Sequence, residues 1–275
     1  MGPSAMIVGS TGAVGRQLLN SLLSDSGFAR TYEVGRCKTT YPVHGVQTPS
    51  QEAFARLTSV TVSNEAFEDA STIKAALPQT QNWNTVFITL GTTRAAAGSA
   101  KAFEKIDKDC ENSIQAHSAV KGLTRLETDV INAAMAAKLE GEQRLVYCSS
   151  MGADPHSYLP YTRSKGETEA ALASLGYKET IIFRPGMLQP VGGREAFRLA
   201  ESLAGFFMNN IVTKFSDNAA ISTDTLGRAM KIAGEIGIKA CLNLEIGEMH
   251  KMGTSGEEVL IVKSSHASRL ADMSL

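Results

Sequence analysis

Tyr161 and Lys165 are the residues whose types and spacing most directly suggest chemistry, and of the six tyrosines only Tyr161 has a lysine four positions on. At i and i+4 on a helix the two share a face, which brings the ammonium near the phenol. A neighbouring cation favours phenolate and lowers a pKa that starts near ~10 toward working pH. Such a phenol can protonate a carbonyl oxygen or remove the proton of an alcohol. About a dozen residues earlier, Leu145-Val146-Tyr147-Cys148 reads as a buried strand ending in Ser149 and Ser150. Ser149 fits the spacing of a substrate-orienting hydroxyl, with Ser150 as the alternative. The competing reading is a core tyrosine, a solvated lysine and a serine that caps a turn.

A second constellation lies near the start of the chain. The apolar run Ala5-Met6-Ile7-Val8 leads into Gly9-Ser10-Thr11-Gly12-Ala13-Val14-Gly15, and Leu18, Leu19, Leu22 and Leu23 follow at helical spacing. This is a strand, a glycine turn and a helix N-terminus. Gly9, Gly12 and Gly15 allow a tight turn and close backbone approach to a pyrophosphate, which the free N–H groups and dipole of the helix would hold. Glycine turns are common, so the signal comes from the strand before and the helix after.

Cofactor choice is read at the end of the second expected strand, Tyr32-Glu33-Val34-Gly35-Arg36. An acidic residue at that end would accept hydrogen bonds from a ribose 2′-hydroxyl. Arg36, with Lys38 two residues on, suits a 2′-phosphate instead. Two solvated basic residues on a loop is the plainer alternative.

The elements that must position these groups alternate. Strands are expected near 5–9, 31–35, 58–62, 85–90, 144–149 and 179–184. Helices are expected near 14–24, 66–77, 100–118, 124–138 and 160–174. The pattern predicts an α/β fold, a Rossmann-type doubly wound parallel sheet with helices on both faces, whose ligands bind at the carboxyl ends of the strands. After residue 186 it changes to helices near 194–213 and 222–236 and a short strand near 242–246, expected to form a small C-terminal lobe over the substrate. Residues 1–252 are read as one nucleotide-binding domain with this lobe, and 253–275 as a loosely docked or disordered tail.

Composition narrows the partners. A net charge of −1 over 275 residues, without a basic tract, argues against nucleic acid. The four cysteines, Cys37, Cys110, Cys148 and Cys241, have neither metal-ligand spacing nor a disulfide framework, so no metal is expected and a reducing compartment suits them. No apolar run approaches the ~20 residues of a membrane span. A cleavable leader is not expected, because cleavage would remove the strand before Gly9.

The chain resembles the atypical short-chain dehydrogenases, the group containing a Tat-interacting oxidoreductase and fungal mitochondria-associated proteins. The resemblance is carried by Gly9 to Arg16, Leu90-Gly91-Thr92-Thr93-Arg94, Ser149-Ser150-Met151-Gly152-Ala153-Asp154, Tyr161 to Glu167 and Phe183-Arg184-Pro185-Gly186. It implies NADPH bound by Thr11, Gly12, Ala13, Val14, Arg36, Leu90, Gly91, Tyr161, Lys165 and Leu188. Lys165 would also reach the nicotinamide ribose, and a serine would orient the substrate oxygen. Where members often carry a second arginine this chain has Cys37, which weakens the phosphate clamp. The stretch from Lys108 to Gly141 is longer than the family pattern by roughly fifteen to twenty residues. The extra piece, near 110–125, is open to reading as a surface extension, an interaction element or a gene-model error.

The expected activity is an NADPH-dependent oxidoreductase acting on a small-molecule carbonyl or alcohol. The alternative is a non-catalytic NADPH-binding redox sensor with a protein partner, although such regulators typically lose the tyrosine–lysine pair. A nucleotide-sugar epimerase fits less well, because the region after residue 186 is short. The resemblance implies a cytoplasmic protein, peripheral on the mitochondrial outer membrane if attached at all.

Overall fold

The computed structural model describes residues 2–24, 27–41, 48–79, 82–90, 125–191 and 220–273. The first six strands are β1 (Ser4–Val8), β2 (Arg30–Gly35), β3 (Leu57–Thr61), β4 (Thr85–Ile88), β5 (Arg144–Cys148) and β6 (Glu179–Arg184), close to the spans expected. They form a parallel sheet in the order β3-β2-β1-β4-β5-β6. The order reverses direction between β1 and β4, so the crevice beyond their carboxyl ends is the ligand position in a sheet of this kind.

Helices cover both faces: α1 (Ala13–Ser24), α2 (Gln51–Ala55), α3 (Ala70–Ala76), α4 (Arg125–Ala137), α5 (Pro160–Ala173), α6 (Thr223–Asn243) and α7 (Ser264–Ala271). Parallel strands buried on two sides alternate between two cores. Ile7, Phe87, Val146 and Phe183 face α1 and α6, against Leu18, Leu22, Met230 and Ala233. Met6, Val86, Tyr147 and Ile182 face the opposite way, against Val130, Ala134 and Leu172. The helix expected over 66–77 is a 3₁₀ turn, Glu65–Glu68, followed by α3. Asp69 separates them by accepting N–H bonds from Ser71 and Thr72, an N-cap that starts a new helix.

The expectation of a loose tail is overturned. Strand β10 (Glu257–Lys263) inserts beside β6 in parallel register, and β9 (Glu248–Met252) closes the edge antiparallel to it. Val259, Leu260, Ile261 and Val262 are at most 1% exposed. A continuous apolar run is the signature of a strand covered on both faces, and α7 supplies part of the cover. The strand expected near 242–246 is also corrected. Helix α6 breaks at Gly237 (φ 80°) and resumes to Asn243, and the turn after it contains Glu245 at φ 56°.

An ion pair fills that break. The Arg144 guanidinium donates to Glu179 Oε2 at 2.5 Å and to the carbonyl of Gly234, while Glu179 Oε1 accepts from the Ile238 N–H at 3.3 Å. The pair thus satisfies the last carbonyls of one helical segment and the first amide of the next. Residues 192–219, which contain the expected helix at 194–213, lie outside the described residues, as do 91–124 with the expected helix at 100–118 and most of the extra piece.

Candidate active site

The glycine turn leaves β1 into the crevice. Gly9 adopts φ +93°, and a Cβ there would lie 2.8 Å from the Leu90 amide nitrogen. At Gly15 a Cβ would come within 2.0 Å of the Gly9 carbonyl oxygen and 2.7 Å of Thr89 Oγ1. The fold itself therefore demands glycine at both positions. Gly12 differs: its φ is ordinary, and a Cβ would sit 3.4 Å from the Gly9 oxygen, at normal contact distance. Among the described residues no contact requires glycine there.

The N–H of Gly12 donates to the Gly9 carbonyl at 3.1 Å, and the Gly12 carbonyl accepts from Arg16, which places Gly12 at the cap of α1. Thr11 is exposed, Ala13 half-buried, and the Val14 side chain packs into the core. Val14 thus offers a ligand its backbone and not its side chain. Thr89 ties the end of β4 to this loop by donating to the carbonyls of Val8 and Gly9 at 3.2 and 3.1 Å. Leu90 follows, half-buried against the core, and Gly91 lies outside the described residues.

At the end of β2, Arg36 and Lys38 are exposed, and Arg36 Nη1 donates to Asn64 Oδ1 at 3.4 Å. Glu33, the acidic residue of β2, is 2% exposed. Its carboxylate accepts from Ser10 Oγ, Ser59 Oγ and the Thr39 N–H. That carboxylate serves the fold, leaving the two cations at the strand end. Asp129 on α4 lies within the field of Arg36. Burial pushes its pKa up to about 6, against the opposing fields of Arg125 and Arg36, and its Oδ1 has no hydrogen-bond partner among the described residues.

Helix α5 carries the tyrosine–lysine pair. Pro160 starts it, matching the preference for proline in a first turn, and puts half-buried Tyr161 at the helix mouth. One turn deeper, Lys165 is 5% exposed; Nζ donates to the Tyr147 hydroxyl at 3.3 Å and lies 5.9 Å from that ring's centre. Burial pulls the lysine pKa down. The combined fields of Tyr147, Tyr161 and Glu127 more than reverse this and hold it above the ordinary lysine value. Burial also pushes the Tyr147 phenol up to about 12.

Ser149 and Ser150 leave the end of β5, which the bond from the Ser149 N–H to the Phe183 carbonyl holds at 2.8 Å. They are 7% and 6% exposed, and neither hydroxyl oxygen has a partner among the described residues. Two orphaned buried hydroxyls are unusual, since buried polar groups are nearly always paired. The chain then folds over the start of α5, with the Asp154 N–H donating to the Thr162 carbonyl at 2.9 Å. This approach needs Gly166, where a Cβ would lie 2.2 Å from the Pro155 nitrogen.

Arg184-Pro185-Gly186 proves to be a brace. Arg184 grips Glu169 of α5 through both carboxylate oxygens at 3.0 and 2.5 Å, and Glu169 is 1% exposed. The Pro185 carbonyl accepts from Met151, and the Gly186 N–H donates to Ser264 Oγ. Leu188 lies on β7 (Met187–Gln189), which pairs with β8 (Ala220–Ser222), and packs against the core on the α1 side.

Reading the sequence did not single out Glu127, Tyr147, Thr89 or Gly166. Tyr147 alternates with Ser149 along one strand, a signal that was available; the other three are set by long-range packing. Among the described residues no group of His, Cys, Asp and Glu could hold a metal, and no helix is long and apolar enough to cross a membrane.

Comparison with known proteins agrees with this geometry. Residues 9–211 match the family model described as NAD(P)H-binding. The mitochondrial protein fmp52 of Emericella nidulans is 33% identical over 83% of this chain and 85% of its own. The protein HTATIP2 of Rattus norvegicus is 29% identical over 82% of this chain and 79% of its own. Among solved structures, a thiolation-reductase di-domain from an archaeal non-ribosomal peptide synthetase superposes with a TM-score of 0.54 at 13% identity. It covers 85% of this chain and 53% of that one, a likeness of fold. By its nucleotide loop, its sheet and these relatives, the chain belongs to the NAD(P)H-binding, short-chain-dehydrogenase-like family that includes fungal fmp52 and HTATIP2.

Proposed function

We propose that this protein is an NADPH-dependent oxidoreductase that reduces a carbonyl or oxidises an alcohol, with Tyr161 as its general acid and base. The observation that carries the reading is that Tyr161 and Lys165 open α5, the helix that follows β5, and that the carboxyl end of β5 carries two buried serine hydroxyls without a partner among the described residues. Both lie at the carboxyl edge of the sheet, on the side where the glycine turn opens. The residues suit a dinucleotide: Gly12 leaves space that the fold does not need, α1 presents its N-terminus, and Arg36 and Lys38 match a 2′-phosphate. Gly9, Thr11, Ala13, Val14, Gly15, Leu90, Gly91 and Leu188 complete the proposed cofactor contacts. When bound, the nicotinamide supplies or accepts hydride.

The chain's own residues do the rest. Ser149, or Ser150 beside it, donates a hydrogen bond that fixes the substrate oxygen. Tyr161 gives its hydroxyl proton to that oxygen during reduction and takes a proton from it during oxidation. The Lys165 ammonium stabilises the phenolate left behind and reaches the cofactor ribose. The fungal relative's mitochondrial description supports association with that organelle, as a peripheral protein. The test is NADPH consumption against a panel of aldehydes and ketones, with Tyr161→Phe as control. NADPH binding without turnover of any carbonyl would favour a redox sensor instead.

A further inference from the structure

We propose that Glu127 is the buried counter-ion of Lys165, a positioning residue on α4 that keeps the lysine charged and in place inside the protein. Glu127 is 4% exposed and Lys165 5% exposed. Glu127 Oε1 accepts from Ser164 Oγ at 3.0 Å, and Ser164 is the residue before Lys165. The bond pins the carboxylate to the helix that bears the ammonium. The ammonium itself donates to the Tyr147 hydroxyl at 3.3 Å.

The groups that face Lys165 among the described residues are Tyr147 and Cys148 from β5, Tyr161 from α5 and Glu127 from α4. Burial pushes both the Tyr147 phenol and the Cys148 thiol up to about 12, so neither carries charge at neutral pH. Tyr161 enters a reduction as the protonated phenol. Glu127 is the one carboxylate in the set. An isolated lysine buried this deeply loses its proton readily, with pKa values as low as about 5–6 in documented cases. Without Glu127 the set holds no charged group at neutral pH to oppose the desolvation of Lys165, and the lysine should lose its proton more readily. A neutral lysine could neither stabilise a Tyr161 phenolate nor serve as a cationic anchor for the ribose.

The inference rests on Lys165 acting as the cation of the proposed site, but its test reads the amine and not turnover, so either can fail alone. The experiment is a carbon-13 titration of the lysine Cε resonances in the full-length, isotopically labelled protein, with Lys165 assigned by its loss in Lys165→Met. In the wild type Lys165 should show no inflection below the ordinary lysine value of ~10.4. In Glu127→Gln, which keeps the size and the acceptor for Ser164, an inflection should appear below that value. Absence of that inflection, or an inflection below it in the wild type, would overturn the proposal. If Glu127→Gln fails to fold, the double variant with Lys165→Met decides, because removing both charges should restore folding. A double variant that also fails to fold would refute the pairing.

Discussion

The three glycines of the nucleotide loop separate what the fold needs from what a ligand needs. In Gly15→Ala the new Cβ would lie 2.0 Å from the Gly9 carbonyl oxygen, so backbone must move by more than an ångström's worth of overlap. Overpacking of this kind costs about 1–3 kcal/mol or more, against a gain of about 1 kcal/mol from helix propensity. Because the clash is with backbone, the upper end of that cost applies, and a net loss of about 2 kcal/mol is expected. In Gly12→Ala the Cβ meets the same oxygen at 3.4 Å, an ordinary contact. The less favourable cap and the reduced freedom of the unfolded chain act in opposite directions, each by about 1 kcal/mol or less. Stability should stay within about 1 kcal/mol of wild type. Gly12→Val should likewise fold, yet lose dinucleotide binding, because its side chain fills the space proposed for the pyrophosphate. Urea denaturation measures the first quantity and titration calorimetry with NADPH the second. A Gly12→Val protein that binds NADPH normally would reduce the loop to an ordinary turn, and a Gly15→Ala protein as stable as wild type would refute the steric argument.

Three further outcomes are expected. NADPH should bind more tightly than NADH by about 1–3 kcal/mol, and Arg36→Ala should erase most of that difference while leaving NADH affinity nearly unchanged; equal wild-type affinities in calorimetry would contradict this. Asp129 has a folded pKa raised from 3.8 to about 6, so the native state holds its proton more tightly than the unfolded chain and stability falls as pH rises through that interval. Asp129→Asn should therefore be more stable than wild type above about pH 6 and lose the advantage below about pH 4; a pH-independent difference in denaturation midpoint would refute it. Carbonate extraction of the mitochondrial fraction should release the protein into the supernatant, and retention in the pellet would contradict peripheral attachment.

Local patterns made the nucleotide-binding half legible. β1, Gly9 to Gly15 and α1 follow one another without interruption, so the apolar run, the turn and the helical spacing of Leu18, Leu19, Leu22 and Leu23 can be read from a single window. The pairing of Tyr161 with Lys165 is likewise local, one turn of α5. What sequence reading missed depends on partners far along the chain. Val259 to Val262 looked like a tail element because nothing nearby in sequence covers it, whereas β6 and α7 bury it. Glu127, in the first turn of its helix, fits the solvated acidic residue that a helix dipole favours there. Only the packing of α4 on α5 turns it into a buried group. The helix expected near 222–236 does break at Gly237, but Arg144 and Glu179 let it start again beyond that residue.

The central claim is that Tyr161 transfers the proton. Tyr161→Phe keeps the ring and its packing and removes the hydroxyl. With a carbonyl compound that the wild type reduces, NADPH-dependent turnover by Tyr161→Phe should fall about a hundred-fold or more, the scale of a general-acid contribution. NADPH affinity, measured on the same preparation, should change little. A Tyr161→Phe enzyme that reduces the same carbonyl as fast as the wild type would contradict the mechanism.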